Sequence, residues 1–154
     1  MMRYLGIDPG ITGGIALLSL DGKDLILEAM PTMPAPTAGK RMVDAAGLAR
    51  LLRPYPDLVA AVEHVGAMPG QGVTSMFSFG QSYGTALGAL GALGIGYTLV
   101  RPQLWKKFHG ITSAGKDGAL GVVARRWPER ILKKTEHGLA DALLIADWLR
   151  QARH

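Results

Sequence analysis

Two acidic side chains follow apolar segments at points where the chain turns. Asp8 comes directly after residues 3–7, in GIDPG, and Glu63 comes directly after residues 58–62, in AAVEH. If the two segments are neighbouring parallel strands, both carboxylates emerge at the same end of the sheet. Carboxylates that lie close together repel each other, and a cation between them relieves the repulsion. The pair therefore predicts a metal site.

A third acid and a histidine lie near the C-terminus, in EHGLADAL. His137 and Asp141 are four residues apart, so on a helix they share one face. Oxygen ligands with one imidazole suit Mg²⁺ or Mn²⁺, and two such ions about 4 Å apart are a standard device for splitting a phosphodiester. One ion lowers the pKa of the attacking water, and the other stabilises the leaving 3′ oxygen. The candidate catalytic and metal-binding residues are Asp8, Glu63, His137 and Asp141, holding two ions.

The positive charge of the chain is concentrated in one segment. The net charge is +5, yet residues 101–134 alone hold nine Lys and Arg against two acidic residues, a net charge of +7. Such a zone is typical of a protein that binds a polyanion. The alternative is a solvated charged face that only confers solubility.

The bulk composition limits the class of protein. With 154 residues, 48% hydrophobic and 19% charged, the chain is expected to form one globular domain over residues 1–154. The absence of cysteine excludes disulfides and thiolate metal sites. The N-terminus MMRYLGIDPG has no signal-peptide pattern, which predicts a cytoplasmic protein, in the host cytoplasm if the source is viral. Glycines interrupt the longest apolar stretch, residues 83–100, so no membrane helix is expected.

The apolar pattern predicts the elements that must position these residues. Asp21-Gly22 marks a hairpin turn, prolines in residues 31–36 predict an irregular loop, and Ser113 and Thr135 are candidate N-caps of two late helices. The order of the segments predicts an α/β fold with a five-stranded mixed sheet flanked by helices. The predicted strands span 3–7, 13–20, 24–30, 58–62 and 95–100, and the predicted helices span 42–53, 73–93, 102–107, 113–127 and 135–150.

These motifs resemble the RuvC family of Holliday junction resolvases, within the ribonuclease H-like superfamily, over essentially the whole chain. GIDPGITGGIAL is similar to the family's first motif, with Asp8 as the first metal-binding acid. AAVEHV followed by FGQSYGTALG is similar to the second, with Glu63 as the second acid, and HGLADALLIADW resembles the C-terminal motif that supplies the remaining ligands. The resemblance implies a ribonuclease H-like fold and paired symmetric nicks in four-way DNA junctions, made by water attack on the phosphodiester.

The resemblance also implies residues that contact DNA. Lys106 or Lys107, followed by Lys116, is similar to the basic residues that hold the scissile phosphate, so Lys116 joins the catalytic candidates. After the second acid the family often has an aromatic residue that wedges into the junction, whereas this chain has Val65 and Gly66 there. Met68, Met76, Phe77 and Phe79 further on are alternatives for that role. The DNA-binding candidates are Lys106, Lys107, Lys116, Arg125, Arg126, Phe77 and Phe79.

The last motif departs from the family pattern. Many members carry two Asp residues three apart, whereas here position 138 is Gly and the polar candidate, His137, is four residues before Asp141. Some members use His there, so an active site is expected, with Mn²⁺ as the alternative to Mg²⁺.

The substrate implies partners. A four-way junction has near two-fold symmetry, and a symmetric dimer presents two sites of matched direction. The Gly-rich and Ala-rich helix over residues 75–93 is the candidate contact, the alternative being close packing of its glycines onto its own sheet. A branch-migration helicase is a further candidate partner.

Three other functions fit parts of the sequence. Another ribonuclease H-fold nuclease could act on structured RNA, because the acidic cluster fixes the chemistry and leaves the substrate open. A junction-binding protein with an impaired site would explain the missing Asp at position 138. DPGITGG also resembles the first phosphate loop of the actin and sugar-kinase ATP fold, but those proteins need two such halves and a far longer chain.

Overall fold

A computed structural model describes residues 1–153, in which a five-stranded mixed sheet is flanked by helices. In chain order the elements are β1 (Arg3–Asp8), β2 (Gly14–Ser19), β3 (Leu25–Ala29), β4 (Thr32–Pro34), β5 (Arg41–Val43), α1 (Ala45–Leu52), β6 (Leu58–Glu63), α2 (Val73–Ala92), β7 (Tyr97–Val100), α3 (Pro102–Phe108), α4 (Gly118–Arg126) and α5 (His137–Ala152).

The strand order places the two acid-bearing strands side by side. The main sheet has the order β3-β2-β1-β6-β7, and β1 pairs with β6 in parallel, from Arg3 opposite Leu58 to Ile7 opposite Val62. The strands β1, β2 and β3 form an antiparallel meander, and β7 is parallel to β6. This arrangement confirms the predicted five-stranded mixed sheet.

Both faces of the central strands are covered by apolar layers. Successive side chains of a strand point to opposite faces, so Leu5 and Ile7 pack with α1 and α2, whereas Tyr4 packs with α3, α4 and α5. Leu48 of α1 and Leu143 of α5 represent the two layers, and both are fully buried. The sheet therefore has a core on each side, and its ends are left for the site.

Helix α5 lies directly on the backbone of β1 and β2. A Cβ placed on Gly6 would lie 2.1 Å from the carbonyl oxygen of Ala142, and one placed on Gly14 would lie 2.7 Å from the carbonyl oxygen of Gly138. Only glycine permits so close an approach of two backbones. Two backbone contacts, Gly6 with Ala142 and Gly14 with Gly138, thus set the position of α5 on the sheet.

Two local features differ from the sequence prediction. The segment predicted as an irregular loop contains the antiparallel pair β4–β5, in which Arg41 donates hydrogen bonds to the hydroxyl and carbonyl of Thr32. Pairing of Met42 and Val43 in β5 also delays the start of α1 to Ala45.

The two predicted N-caps are wrong. Helix α4 begins after Asp117 instead of after Ser113, because a turn with Gly115 at a φ of +68° intervenes. Helix α5 begins after Glu136, and Thr135 lies outside it. Within residues 1–153, no helix has the length and apolar character required to cross a membrane.

The backbone contact at Gly6 gives a stability prediction. Gly6→Ala should lower the free energy of unfolding by at least about 3 kcal/mol, because its methyl group would overlap the α5 backbone. Urea unfolding would measure the change. Gly121→Ala in α4 is the matched control: its Cβ would meet only the flexible Arg125 side chain, at 3.4 Å. The control should be neutral or stabilising by up to about 1 kcal/mol, and equal losses in both variants would contradict the packing argument.

Candidate active site

Asp8 ends β1 and its carboxyl group is largely buried. The pKa of Asp8 is raised from 3.8 to about 7, mainly by burial and further by the negative charges of Glu63 and Asp141. A hydrogen bond from the Gly10 backbone and the charge of Lys106 oppose the shift. The positive charge near Asp8 is thus too small to offset its burial and the repulsion by the two other carboxylates.

Glu63 ends β6, the parallel neighbour of β1. Its Oε2 accepts a hydrogen bond from the indole Nε1 of Trp105 at 2.8 Å. Burial raises the pKa of Glu63, while that hydrogen bond and the charge of Lys106 act in the opposite direction. The sequence analysis did not identify Trp105, although an aromatic residue directly before two lysines in a short helix was an available signal.

Asp141 comes from α5, which packs across β1 and β2. Its pKa is raised from 3.8 to about 6, mainly by burial and also by the charge of Glu63, while Lys106 and His137 oppose the shift. Asp8, Glu63 and Asp141 therefore act on one another electrostatically, as the sequence analysis expected from their places in the fold.

His137 stands at the first turn of α5, with its ring held by the backbone. Its Nδ1 lies 2.9 Å from the carbonyl oxygen of Lys116, and its Nε2 lies 3.9 Å from Oδ1 of Asp117. A carbonyl oxygen only accepts, so Nδ1 carries a proton, and in the neutral ring Nε2 presents a lone pair. A backbone partner on the second ring nitrogen is the usual way of orienting a metal-binding histidine.

The donor set fits a hard divalent cation. Carboxylate oxygens with one imidazole suit Mg²⁺ or Mn²⁺, and half-buried carboxylates that repel one another gain from a shared cation. Within residues 1–153, no three His, Asp or Glu side chains are drawn together as tightly as the ligands of a single ion. The acids are electrostatic neighbours, in an arrangement looser than a coordination sphere.

Lys106 is the basic residue that faces the acids. Its charge acts on Asp8, Glu63 and Asp141, whereas Lys107, the next residue of α3, is exposed. The sequence left the choice between the two lysines open, and Lys106 is the one whose charge acts on all three acids. The exposed Lys116 lies at the same end of the sheet, because its carbonyl holds His137.

The two aromatic candidates occupy different environments. Phe77 is 74% exposed near the start of α2. Phe79 lies over the turn that follows Asp8, since a Cβ built on Gly10 would be 3.2 Å from its ring. Phe77 is therefore the more exposed of the two and the more available to stack on another molecule.

Arg126 is held away from the acids by other partners, whereas Arg125 is exposed on α4. Arg126 donates to the fully buried Asp147 and its guanidinium stacks over the ring of Trp127. Trp127 in turn donates to the carbonyl of Gly22, in the turn between β2 and β3. This cluster lies at the end of the sheet opposite Asp8, where Arg126 has a structural partner, and its assignment to DNA binding stays a prediction.

One curated protein of similar sequence is named as a Holliday junction resolvase. No protein-family model matches the chain. The chloroplastic Holliday junction resolvase MOC1 of Chlamydomonas reinhardtii is 38% identical over 122 residues, which cover 72% of this chain and 14% of that protein. The chain therefore spans a small part of the length of this relative.

Solved structures share the fold over nearly the whole chain. RuvC of T. thermophilus in complex with a Holliday junction substrate matches with a TM-score of 0.70 and 24% identity, covering 99% of this chain and 96% of that one. Thermus thermophilus RuvC matches with a TM-score of 0.66 and 22% identity over the same shares. The yeast mitochondrial Holliday junction resolvase Ydc2 matches with a TM-score of 0.54 and 16% identity, covering 99% and 80%. These likenesses confirm the predicted ribonuclease H-like fold.

The raised pKa of Asp8 gives a pH prediction for the protein in chelator. Folded Asp8 holds its proton up to about pH 7, whereas the unfolded residue releases it near 3.8. Its contribution to stability is complete below about pH 4 and is lost as the pH rises through about 7. Asp8→Asn should therefore flatten the fall in unfolding free energy between those pH values, measured by urea unfolding in EDTA.

The matched control is Glu28→Gln, which removes an exposed carboxylate from the edge strand β3. It should leave the pH profile of the wild type unchanged. If the unfolding free energy of Asp8→Asn fell with pH as steeply as that of the control, the pKa of Asp8 would not be raised in the folded protein.

Proposed function

We propose that this chain, which has the fold of the RuvC Holliday junction resolvases, is a metal-dependent endonuclease that resolves four-way DNA junctions by paired symmetric nicks. One observation carries the proposal: the half-buried acids of β1, β6 and α5 interact at one end of the sheet, beside Lys106. A four-way junction as substrate is supported by the RuvC complex with a Holliday junction and by the name of the Chlamydomonas relative. Residues 1–154 would form a single nuclease domain.

The site would hold two ions of Mg²⁺ or Mn²⁺ between Asp8, Glu63, Asp141 and the Nε2 of His137. Bound there, the ions would activate the attacking water and neutralise the charge that builds on the phosphate. The protein supplies fixed geometry: two acids from paired strands, and two donors from a helix that rests on the backbone of those strands.

Basic side chains around the acids would hold the substrate. Lys106 acts on the carboxylates electrostatically and would contact the scissile phosphate, with Lys116, whose carbonyl contacts His137, as a second contact. Lys107 and Arg125 are exposed and would touch the backbone farther out, at positions that fix register without reading sequence. We assign the junction wedge to the exposed Phe77.

A homodimer through α2 would present two such sites. Gly84 and Gly88 lie on the exposed side of this helix, where an added Cβ would meet nothing within 4 Å, while Ala86 and Leu90 pack onto the sheet. The alternative expectation, that these glycines pack onto their own sheet, is therefore not met. An open face of small residues permits close approach of a second helix.

Other expected features remain predictions. A branch-migration helicase is a candidate partner because resolution follows movement of the junction. The cytoplasmic location rests on the sequence alone, and the Chlamydomonas relative is named as chloroplastic. No observation on this chain favours structured RNA as the substrate, and the intact set of three acids argues against a protein that only binds.

The activity is tested on a synthetic four-way DNA junction, a linear duplex and a structured RNA, with Mg²⁺ or Mn²⁺. The wild type should nick the four-way junction in paired symmetric positions and leave the duplex intact. Asp8→Asn should reduce cleavage by about 10³-fold or more while junction affinity is retained, because the acid acts on the reaction and not on binding.

Glu28→Gln serves again as the control and should cut like the wild type. Unchanged cutting by Asp8→Asn, or cutting by the wild type that is indifferent to chelator, would refute the proposed site. Preferential cutting of the RNA would favour the alternative nuclease.

The dimer is tested by placing a large charge on the open face of α2. Gly88→Arg should give a monomer by light scattering, because its side chain would fill the space that a second helix needs. The monomer should lose coordinated nicking of the two strands. Ala124→Arg, on the exposed side of α4, is the matched control and should remain dimeric. A wild type that is monomeric at assay concentration and on the junction would contradict the assignment.

A further inference from the structure

We infer that Trp105 is a positioning residue, which orients Glu63 for metal binding through the indole N–H. The inference rests on the proposed function, because it assigns a role at the same site. Neither the metal-ligand set nor the phosphate contacts include this residue.

The rigid indole of Trp105 donates a hydrogen bond to the more flexible side chain of Glu63. The indole Nε1 lies 2.8 Å from Oε2 of Glu63, across 42 residues of sequence. An indole N–H only donates, so Oε2 must be the acceptor. A glutamate side chain has one more rotatable bond than an aspartate, and Glu63 therefore has more freedom to lose than Asp8 or Asp141 when it binds an ion.

Trp105 itself is held rigidly. It is 0% exposed and belongs to the core layer that contains Ala61 of β6, Val100 of β7 and Leu144 of α5. A donor locked by packing transmits the rigidity of the core to the carboxylate that it contacts. The indole takes one lone pair of Oε2, and Glu63 keeps its other carboxylate lone pairs for an ion.

The same short helix supplies the lysine of the site. The Nζ of Lys106 lies 5.5 Å from the centroid of the Trp105 ring, so the tryptophan stands beside both Glu63 and the ammonium that faces it. One buried ring in α3 thus fixes the spacing between an acid of the site and its basic neighbour.

The test compares two tryptophans that each donate one hydrogen bond from the core. Trp105→Phe removes the bond to Glu63, and Trp127→Phe removes the bond of 2.9 Å to the carbonyl of Gly22, at the opposite end of the sheet. Mn²⁺ affinity is measured on the DNA-free protein by electron paramagnetic resonance. Trp105→Phe should weaken Mn²⁺ binding by about 10- to 100-fold, and Trp127→Phe should change it by less than about 2-fold.

A measurement on the wild type covers the case in which Trp105→Phe fails to fold. During titration with Mg²⁺, the indole N–H resonance of Trp105 should shift, while that of Trp127 stays in place. Equal Mn²⁺ affinity in two folded variants, or an unmoved Trp105 resonance at saturating Mg²⁺, would overturn the inference alone. A wild type that binds neither ion would overturn the proposed metal site as well.

Discussion

The active site depends on direct backbone contact between helix α5 and strands β1 and β2. Glycine at positions 6 and 14 of the sheet lets the helix rest on the strands without intervening side chains. This contact sets the height of α5, so that Asp141 lies within electrostatic reach of Glu63 and Asp8. A larger residue in this seam would lift the helix and separate its ligands from the acids of the sheet.

The same contact explains the departure at position 138. A Cβ on Gly138 would lie 2.4 Å from the carbonyl oxygen of Thr12, so no side chain fits there while α5 keeps its position. A second aspartate three residues before Asp141 is therefore excluded sterically in this chain. His137, one residue earlier, provides a donor nitrogen, and the carbonyl of Lys116 orients its ring. The absence of this aspartate thus follows from the close contact between α5 and the turn at Thr12. It is weak support for an impaired site.

The sequence was informative where local patterns decide the structure. Apolar runs and turn formers predicted the strands of the main sheet, and the position of Asp8 and Glu63 at strand ends predicted that they would meet. The contacts it missed join distant segments: Trp105 reaches Glu63 across 42 residues, and Arg126 reaches Asp147 across 21. No periodicity encodes such pairs, and the N-cap at Ser113 failed because the turn around Gly115 displaced the helix start.

Helix α5 carries two aspartates, six residues apart, whose pKa values are shifted in opposite directions. Burial alone would raise the pKa of Asp147, but hydrogen bonds from Arg126 and Arg150 outweigh burial and lower it. Asp141 is half-buried beside another carboxylate, and its pKa rises to about 6. The C-terminal part of the helix is thus anchored by the ion pairs of Asp147 with Arg126 and Arg150. Asp141, nearer the N-terminus, has the carboxylate of Glu63 as a neighbour. Because the anchored end fixes the helix, the acids at the other end cannot relax apart, and a divalent cation can relieve their repulsion in place.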